Sequence, residues 1–301
     1  MLIAGNSGLG KSSFINTFLS VKFNRFVPEF VGDQNLKSTH SIKHNTVTKT
    51  EGDIKLELDM VDTPGYGKYA SIENWLDMIL EFVLSQALIY KQDKKSFPKA
   101  QVRDSRVHLC LFFIEGSQCN TKDLFVMYNL QKYVCIIPIL AKADTFTTAE
   151  LLQAKDNILR QALQTKIEFF NCEECLKEHC TKLYKTPLAP SPPFSVISDV
   201  TLIEDKDEIF YGRRCSRGVC DINDLEFSDF LLLKNYLLGY FLVPAVEETK
   251  VKARRMLKKY KKKLEHQKRS SNSKKKQARK KSFAKLMFGV VEKIVTGYFV
   301  R

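Results

Sequence analysis

The chain has 301 residues, of which 44% are hydrophobic, and a formal net charge of +14. That is enough apolar material for one sizeable core with an appendage, and too much for a chain disordered throughout. No apolar run approaches the roughly 18 residues of a membrane span, and a glycine-rich loop lies where the apolar stretch of a cleavable leader would have to be. Eight cysteines are scattered among strand-like and helix-like segments rather than spaced as a small disulfide framework. A reducing, cytosolic setting is therefore expected.

The first predicted element is a short strand, Leu2-Ile3-Ala4, which runs into Gly5-Asn6-Ser7-Gly8-Leu9-Gly10-Lys11-Ser12 and so satisfies G-x-x-x-x-G-K-[ST]. The pattern has a mechanism. Glycines let backbone N–H groups turn inward around phosphates, Lys11 supplies a counter-charge, and the Ser12 hydroxyl can ligate Mg²⁺ where a helix beginning at Ser13 also favours anions. The segment LKSTHSIKHNTVTKT follows, and Ser38, Thr39 and Thr46 are its candidates for closing over a γ-phosphate and reaching the metal. The alternative reading of each is a residue in a surface strand.

Leu56-Glu-Leu-Asp-Met-Val61 alternates as a partly buried strand and leads into Asp62-Thr63-Pro64-Gly65. Asp62 at the strand end can hold Mg²⁺, and the Gly65 amide can meet a γ-phosphate. The next residues are Tyr66-Gly67-Lys68, with no glutamine to orient water, so any hydrolysis is expected to be slow. A buried-strand run, Tyr133 to Leu140, ends in Ala141-Lys142-Ala143-Asp144. That spacing suits guanine, because a lysine stem can cover the purine while the carboxylate accepts from N1–H and the N2 amine, a donor pair that adenine lacks. Three motifs in this order, each after a strand, predict a GTP-binding P-loop fold.

Cys172, Cys175, His179 and Cys180 hold enough ligands for zinc, but all lie within one short stretch without the separated second pair of a structural site, and a reduced helix is the expectation. The charge sits in the tail. Between Lys250 and Lys281 stand 17 Lys and Arg against one acid, Glu265, leaving about −2 for the rest. Ala253, Leu257, Tyr260 and Leu264 form a short coiled-coil-like seam over 246–269, 270–282 is a basic linker, and Phe283, Leu286, Met287, Val290, Ile294 and Tyr298 fall on one face of an amphipathic helix over 283–301. A basic stretch beside such a helix is a two-part signal for an anionic membrane surface. RNA is the competing partner for the same charge, and a solvated tail is the alternative to both.

The motifs together resemble those of septins. The loop GNSGLGKSS, the segment VDTPGYG, Asp104-Ser-Arg-Val-His108 before an apolar strand, and IPILAKADTFT are each similar to septin signatures. Tyr211-Gly-Arg213 through Val219, followed by the helix LLLKNYLL, is similar to the septin unique element, here about 195–245 in a domain of 1–245. The resemblance implies an α/β fold of the Ras-like, doubly wound P-loop type with a mostly parallel sheet, GTP or GDP with Mg²⁺ as cofactors, and assembly with other septin subunits into filaments, as a cytoskeletal scaffold at the cell cortex or division site. It places Thr39 as the switch threonine of a slow GTPase and a metal ligand with Ser12 and Asp62. It sets Arg213 against the guanine and Ser198 beside the base, while a non-hydrolysing module that only holds nucleotide is the alternative. Two departures stand out: Cys119 occupies the place of a septin histidine that reaches the neighbouring subunit, and Cys215-Ser216-Arg217 replaces Y-P-W. An unlike septin is therefore the expected partner at that interface. Septins also place a basic helix ahead of the phosphate loop. Where this chain starts at the loop, either the gene model begins late or the tail supplies the basic surface.

Overall fold

The computed structural model describes residues 1–20, 42–51, 54–69, 71–98, 102–171, 191–205, 208–215, 218–238 and 243–266. They divide into two units, Met1–Ala253 and Arg254–Arg301. In the first, β1 (Leu2–Gly5), β2 (Lys43–Glu51), β3 (Ile54–Asp62), β4 (Leu109–Ile114), β5 (Cys135–Ala141) and β6 (Phe194–Val196) form a sheet in the order β2-β3-β1-β4-β5-β6. Only the β2–β3 pair is antiparallel. Parallel strands covered on both faces read as continuous apolar runs, and LCLFFI and CIIPILA are buried at every position. The expected doubly wound, mostly parallel sheet is present.

Among the described residues, five helices cover this sheet or lead between its strands: α1 (Lys11–Ser20), α2 (Ile72–Ser96), α3 (Thr121–Leu130), α4 (Thr148–Thr165) and α5 (Phe230–Leu238). α1 and α5 meet over one face through Phe14, Phe18 and Phe230, with ring centroids 5.7 Å apart for Phe14–Phe230 and 5.4 Å for Phe14–Phe113 of β4. α2 buries Trp75, Leu76, Ile79, Val83 and Ala87, a single helical stripe. α3 and α4 each start in a capping box, Asn120 with Asp123 and Thr147 with Glu150, which satisfies their first free N–H groups and fixes where each helix begins.

A second, antiparallel sheet follows β6: β7 (Thr201–Asp205), β8 (Glu208–Cys215) and β9 (Gly218–Asp221). It occupies the region expected to carry the septin unique element. After it the chain is clamped back onto the main sheet. Asp229 accepts from the Ser195 amide at 2.7 Å, from Ser195 Oγ at 2.6 Å and from Lys155 Nζ at 2.5 Å. One carboxylate so joins β6, α4 and the start of α5.

The last described helix, α6, runs Val243–His266. Its first turns bury Ala245 and Thr249, and Lys252 donates to the carbonyls of Gln131 and Val134 at 2.8 and 3.0 Å, just past the end of α3. In the second unit, residues 254–266 continue as helix, with Arg254, Arg255, Lys258, Lys259, Lys261, Lys262 and Lys263 exposed. The expected seam residues Leu257, Tyr260 and Leu264 fall on it. The linker from 270 and the helix expected over 283–301 lie outside the described residues. Among those described, no single helix is long and apolar enough to cross a membrane.

Candidate functional site

The site grows from the carboxyl ends of β1, β3 and β5, where an open α/β sheet reverses its strand order and leaves a crevice. β1 delivers the chain into the phosphate loop at Gly5, whose φ of +138° and ideal Cβ only 2.5 Å from the Phe113 carbonyl admit no side chain. The Asn6 carboxamide accepts from the Ser7 amide at 2.8 Å, folding the loop on itself. Lys11, at the first turn of α1, is buried and donates to the Gly5 and Asn6 carbonyls at 3.2 and 2.5 Å. Its neighbour Ser12 donates to Asp62 at 2.6 Å, and Asp62 is fully buried at the end of β3. Ser7, Gly8, Leu9, Gly10, Lys11, Ser12 and Ser13, with Thr63, Gly65 and Lys68, line one cavity of about 240 Å³. Burial lowers the Lys11 ammonium to about 8, Asp62 pulls it back up, and Lys68 pushes it further down.

The segment after Asp62 is fastened from behind. Thr63 Oγ1 donates to the Ile3 carbonyl at 2.7 Å, and the only tryptophan of the chain, Trp75, donates from Nε1 to the Pro64 carbonyl at 2.6 Å. The Tyr66 hydroxyl donates to Asp123, and its ring meets Trp75 edge-on at 5.7 Å. Burial, together with that hydrogen bond, raises the tyrosine well above its ordinary range, while burial also raises Asp123. Sequence reasoning missed Tyr66, Trp75 and Asp123 as supports of the site. Their signals were the aromatic directly after D-T-P-G and the N-x-x-D box opening α3.

At the other end, Lys142 adopts a left-handed conformation between β5 and a 3₁₀ turn, with Nζ 3.1 Å from Glu115. Asp144 in that turn is buried, and Arg213 of β8 brings Nη1 to 3.7 Å from its carboxylate. Ser198, after β6, stands beside the loop, its Cβ 3.5 Å from an ideal Cβ on Gly10. The structure therefore gathers the loop residues, Asp62 and Gly65 at one end and Lys142, Asp144 and Arg213 at the other. Thr46 is elsewhere. It sits on β2 opposite Asp59 and donates to it at 2.6 Å, a surface-strand residue. Ser38, Thr39, Cys172, Cys175, His179 and Cys180 lie outside the described residues, and no metal-ligand cluster of three or more groups is found among those described. The D-x-R-V-H residues serve packing: Arg106 Nε donates to Asp104 at 2.8 Å, and the Arg106 Cζ lies 4.3 Å from the Tyr90 ring centroid.

The donor chemistry fits a nucleotide with Mg²⁺. Inward-turned amides and a lysine suit phosphates, the Ser12 and Asp62 oxygens are hard ligands, and a buried carboxylate beside a lysine stem suits a base with paired donors. A family model described as Septin matches residues 1–290. The chain belongs to the septin family. It is 32% identical over 241 residues to the septin homolog spn5 of Schizosaccharomyces pombe, covering 79% of this chain and 48% of that one. It is 29% identical over 252 residues to the neuronal-specific septin-3 of Bos taurus, covering 83% and 71%. The match thus spans about half the length of the fission-yeast relative. Among solved structures, the septin GTPase domain from Chlamydomonas reinhardtii superposes with a TM-score of 0.67 at 24% identity, over 85% of this chain and 96% of that one.

Cys119, expected at the place of a septin histidine, precedes the N-cap of α3. The residue is buried, its backbone is held by both ends of the Gln161 carboxamide at 2.7 and 3.2 Å, and burial followed by Asp123 pushes the thiol up to about 12. It packs inward as an inert core group. The Lys11 environment makes a pH prediction. A polyphosphate favours the charged lysine and raises its pKa, so binding takes up a proton above about pH 8 and affinity falls as pH rises through that value. Calorimetry of nucleotide binding in buffers of different ionisation enthalpy at pH 7 and pH 9 reads the proton directly, and no uptake at pH 9 would contradict the assignment.

Proposed function

We propose that this septin binds guanine nucleotide in the crevice between the phosphate loop and Asp144, and acts as a subunit of a septin filament associated with membranes. The observation that carries the reading is the convergence on Asp144. A buried carboxylate at the end of β5 is met by Arg213 from the second sheet and preceded by Lys142 in a left-handed turn. Asp144 accepts from the base, the Lys142 stem covers the ring, and Arg213 and Ser198 border the nucleotide. Ser12 and Asp62 hold Mg²⁺, with Thr39 completing the set. The ion supplies charge neutralisation at the phosphates. Any hydrolysis is slow, because the residue after Gly65 is Tyr66, whose hydroxyl is committed to Asp123 and whose ring is buried.

Filament partners are other septin subunits. The inward Cys119 leaves the nucleotide-side surface divergent, which favours an unlike subunit there. Membrane association rests on the basic tail. A lysine or arginine near an anionic leaflet contributes about 1 kcal/mol, and the apolar residues from Phe283 to Tyr298 add a part that salt does not screen.

Asp144→Asn removes a charge-assisted pair of hydrogen bonds of about 1.5–3 kcal/mol, so GTP and GDP affinity should fall at least about tenfold without any gain of ATP binding. Unchanged GTP affinity in that variant would remove the guanine assignment. For the tail, a chain ending at Ser282 should bind anionic vesicles in a strongly salt-sensitive way, and one ending at Ala253 should not bind them. Vesicle co-sedimentation checks both, and undiminished binding by the chain ending at Ala253 would refute the membrane role.

A further inference from the structure

Lys68 faces the phosphate cavity together with Lys11 but belongs to neither the loop nor the metal-binding pair. Its position is built in. Gly65 and Gly67 both lie directly on the phosphate loop, where an added Cβ would stand 2.5 Å from the Ser7 backbone and 2.4 Å from Asn6 Oδ1. Between them Tyr66 points away into the core, anchored to Asp123 and packed on Trp75, while Trp75 holds the Pro64 carbonyl. A short 3₁₀ turn, closed by the Lys68 amide donating to the Gly65 carbonyl at 3.2 Å, then brings Lys68 to the rim of the cavity. Here the backbone is pressed on the loop and the side chain is exposed.

Two ammonium groups that share one cradle and repel each other are relieved by the most highly charged anion that fits. The segment following the strand-end aspartate is, in switch-type GTPases, the part that the terminal phosphate orders. We propose that Lys68 is a second phosphate-reading cation of this site and makes it discriminate nucleoside triphosphate from diphosphate. This rests on the guanine-nucleotide reading above. A compact ammonium on a flexible stem acts here as a point charge rather than through a fixed fork, so arginine at this position keeps the effect and neutral or acidic residues lose it.

The test is equilibrium binding of a non-hydrolysable GTP analogue and of GDP, each with excess Mg²⁺, to the full chain and to Lys68→Ala, Lys68→Arg and Lys68→Glu. The expected result is a fall of about fivefold in affinity for the triphosphate with Lys68→Ala, and a larger fall with Lys68→Glu. GDP affinity should stay within about twofold, Lys68→Arg should behave like the unaltered chain, and the difference should shrink as salt is raised. Because Lys68 is exposed, thermal unfolding midpoints should coincide, which separates charge reading from a folding defect. Equal losses for both nucleotides, or no change for either, would overturn the inference while leaving the guanine reading intact. An unaltered chain that binds neither nucleotide would overturn both.

Discussion

The parallel register between β1 and β3, with Ile3 opposite Asp62, is the constraint on which the site depends. It brings two chain segments far apart in sequence to the same level at one end of the sheet. One turns into the phosphate loop and the other ends in a buried carboxylate. The Ser12–Asp62 hydrogen bond of 2.6 Å is the consequence. Slipping this pair by one residue would turn Asp62 to the other face of the sheet and leave a buried charge without its hydroxyl partner, a loss of several kcal/mol. Thr63 donating to the Ile3 carbonyl reinforces the register from the next residue.

From that point the site extends in two directions with different kinds of support. Toward the phosphates, the Pro64–Lys68 segment is held by aromatic packing and buried hydrogen bonds from α2 and α3, so its geometry belongs to the core. At the other end, Asp144 sits on a turn after β5 and meets Arg213 from a separate small sheet. The arginine is partly exposed and its contact is loose at 3.7 Å.

The phosphate loop, the strand ending in Asp62 and the strand that precedes the Asp144 turn were legible because each couples a continuous or alternating apolar run to a short motif with few backbone solutions. The sheet order was legible only through the resemblance, since pairing partners leave no local trace. The β7–β9 meander was read as a family element but not as strands, because Thr201–Asp205 and Glu208–Cys215 mix exposed apolar and charged residues without a clean alternation. Tyr66, Trp75 and Asp123 were missed because they pack on one another and on the Pro64 turn rather than form part of a nucleotide motif. Their role arises from α2 and α3 meeting behind the Pro64 turn, a long-range contact that the aromatic after D-T-P-G and the N-x-x-D box do not reveal by themselves. Lys68 was read only within Tyr66-Gly67-Lys68, as a stretch without a glutamine, and its place at the cavity needed Gly65 and Gly67 to be seen lying on the loop.

The most direct test of the account is competitive binding of GTP, GDP and ATP to the unaltered chain in the presence of Mg²⁺. A site that couples the phosphate loop to a buried acceptor at Asp144 should prefer both guanine nucleotides over ATP by at least about a hundredfold, because adenine leaves that carboxylate without its donors. Equal affinity for GTP and ATP would contradict it.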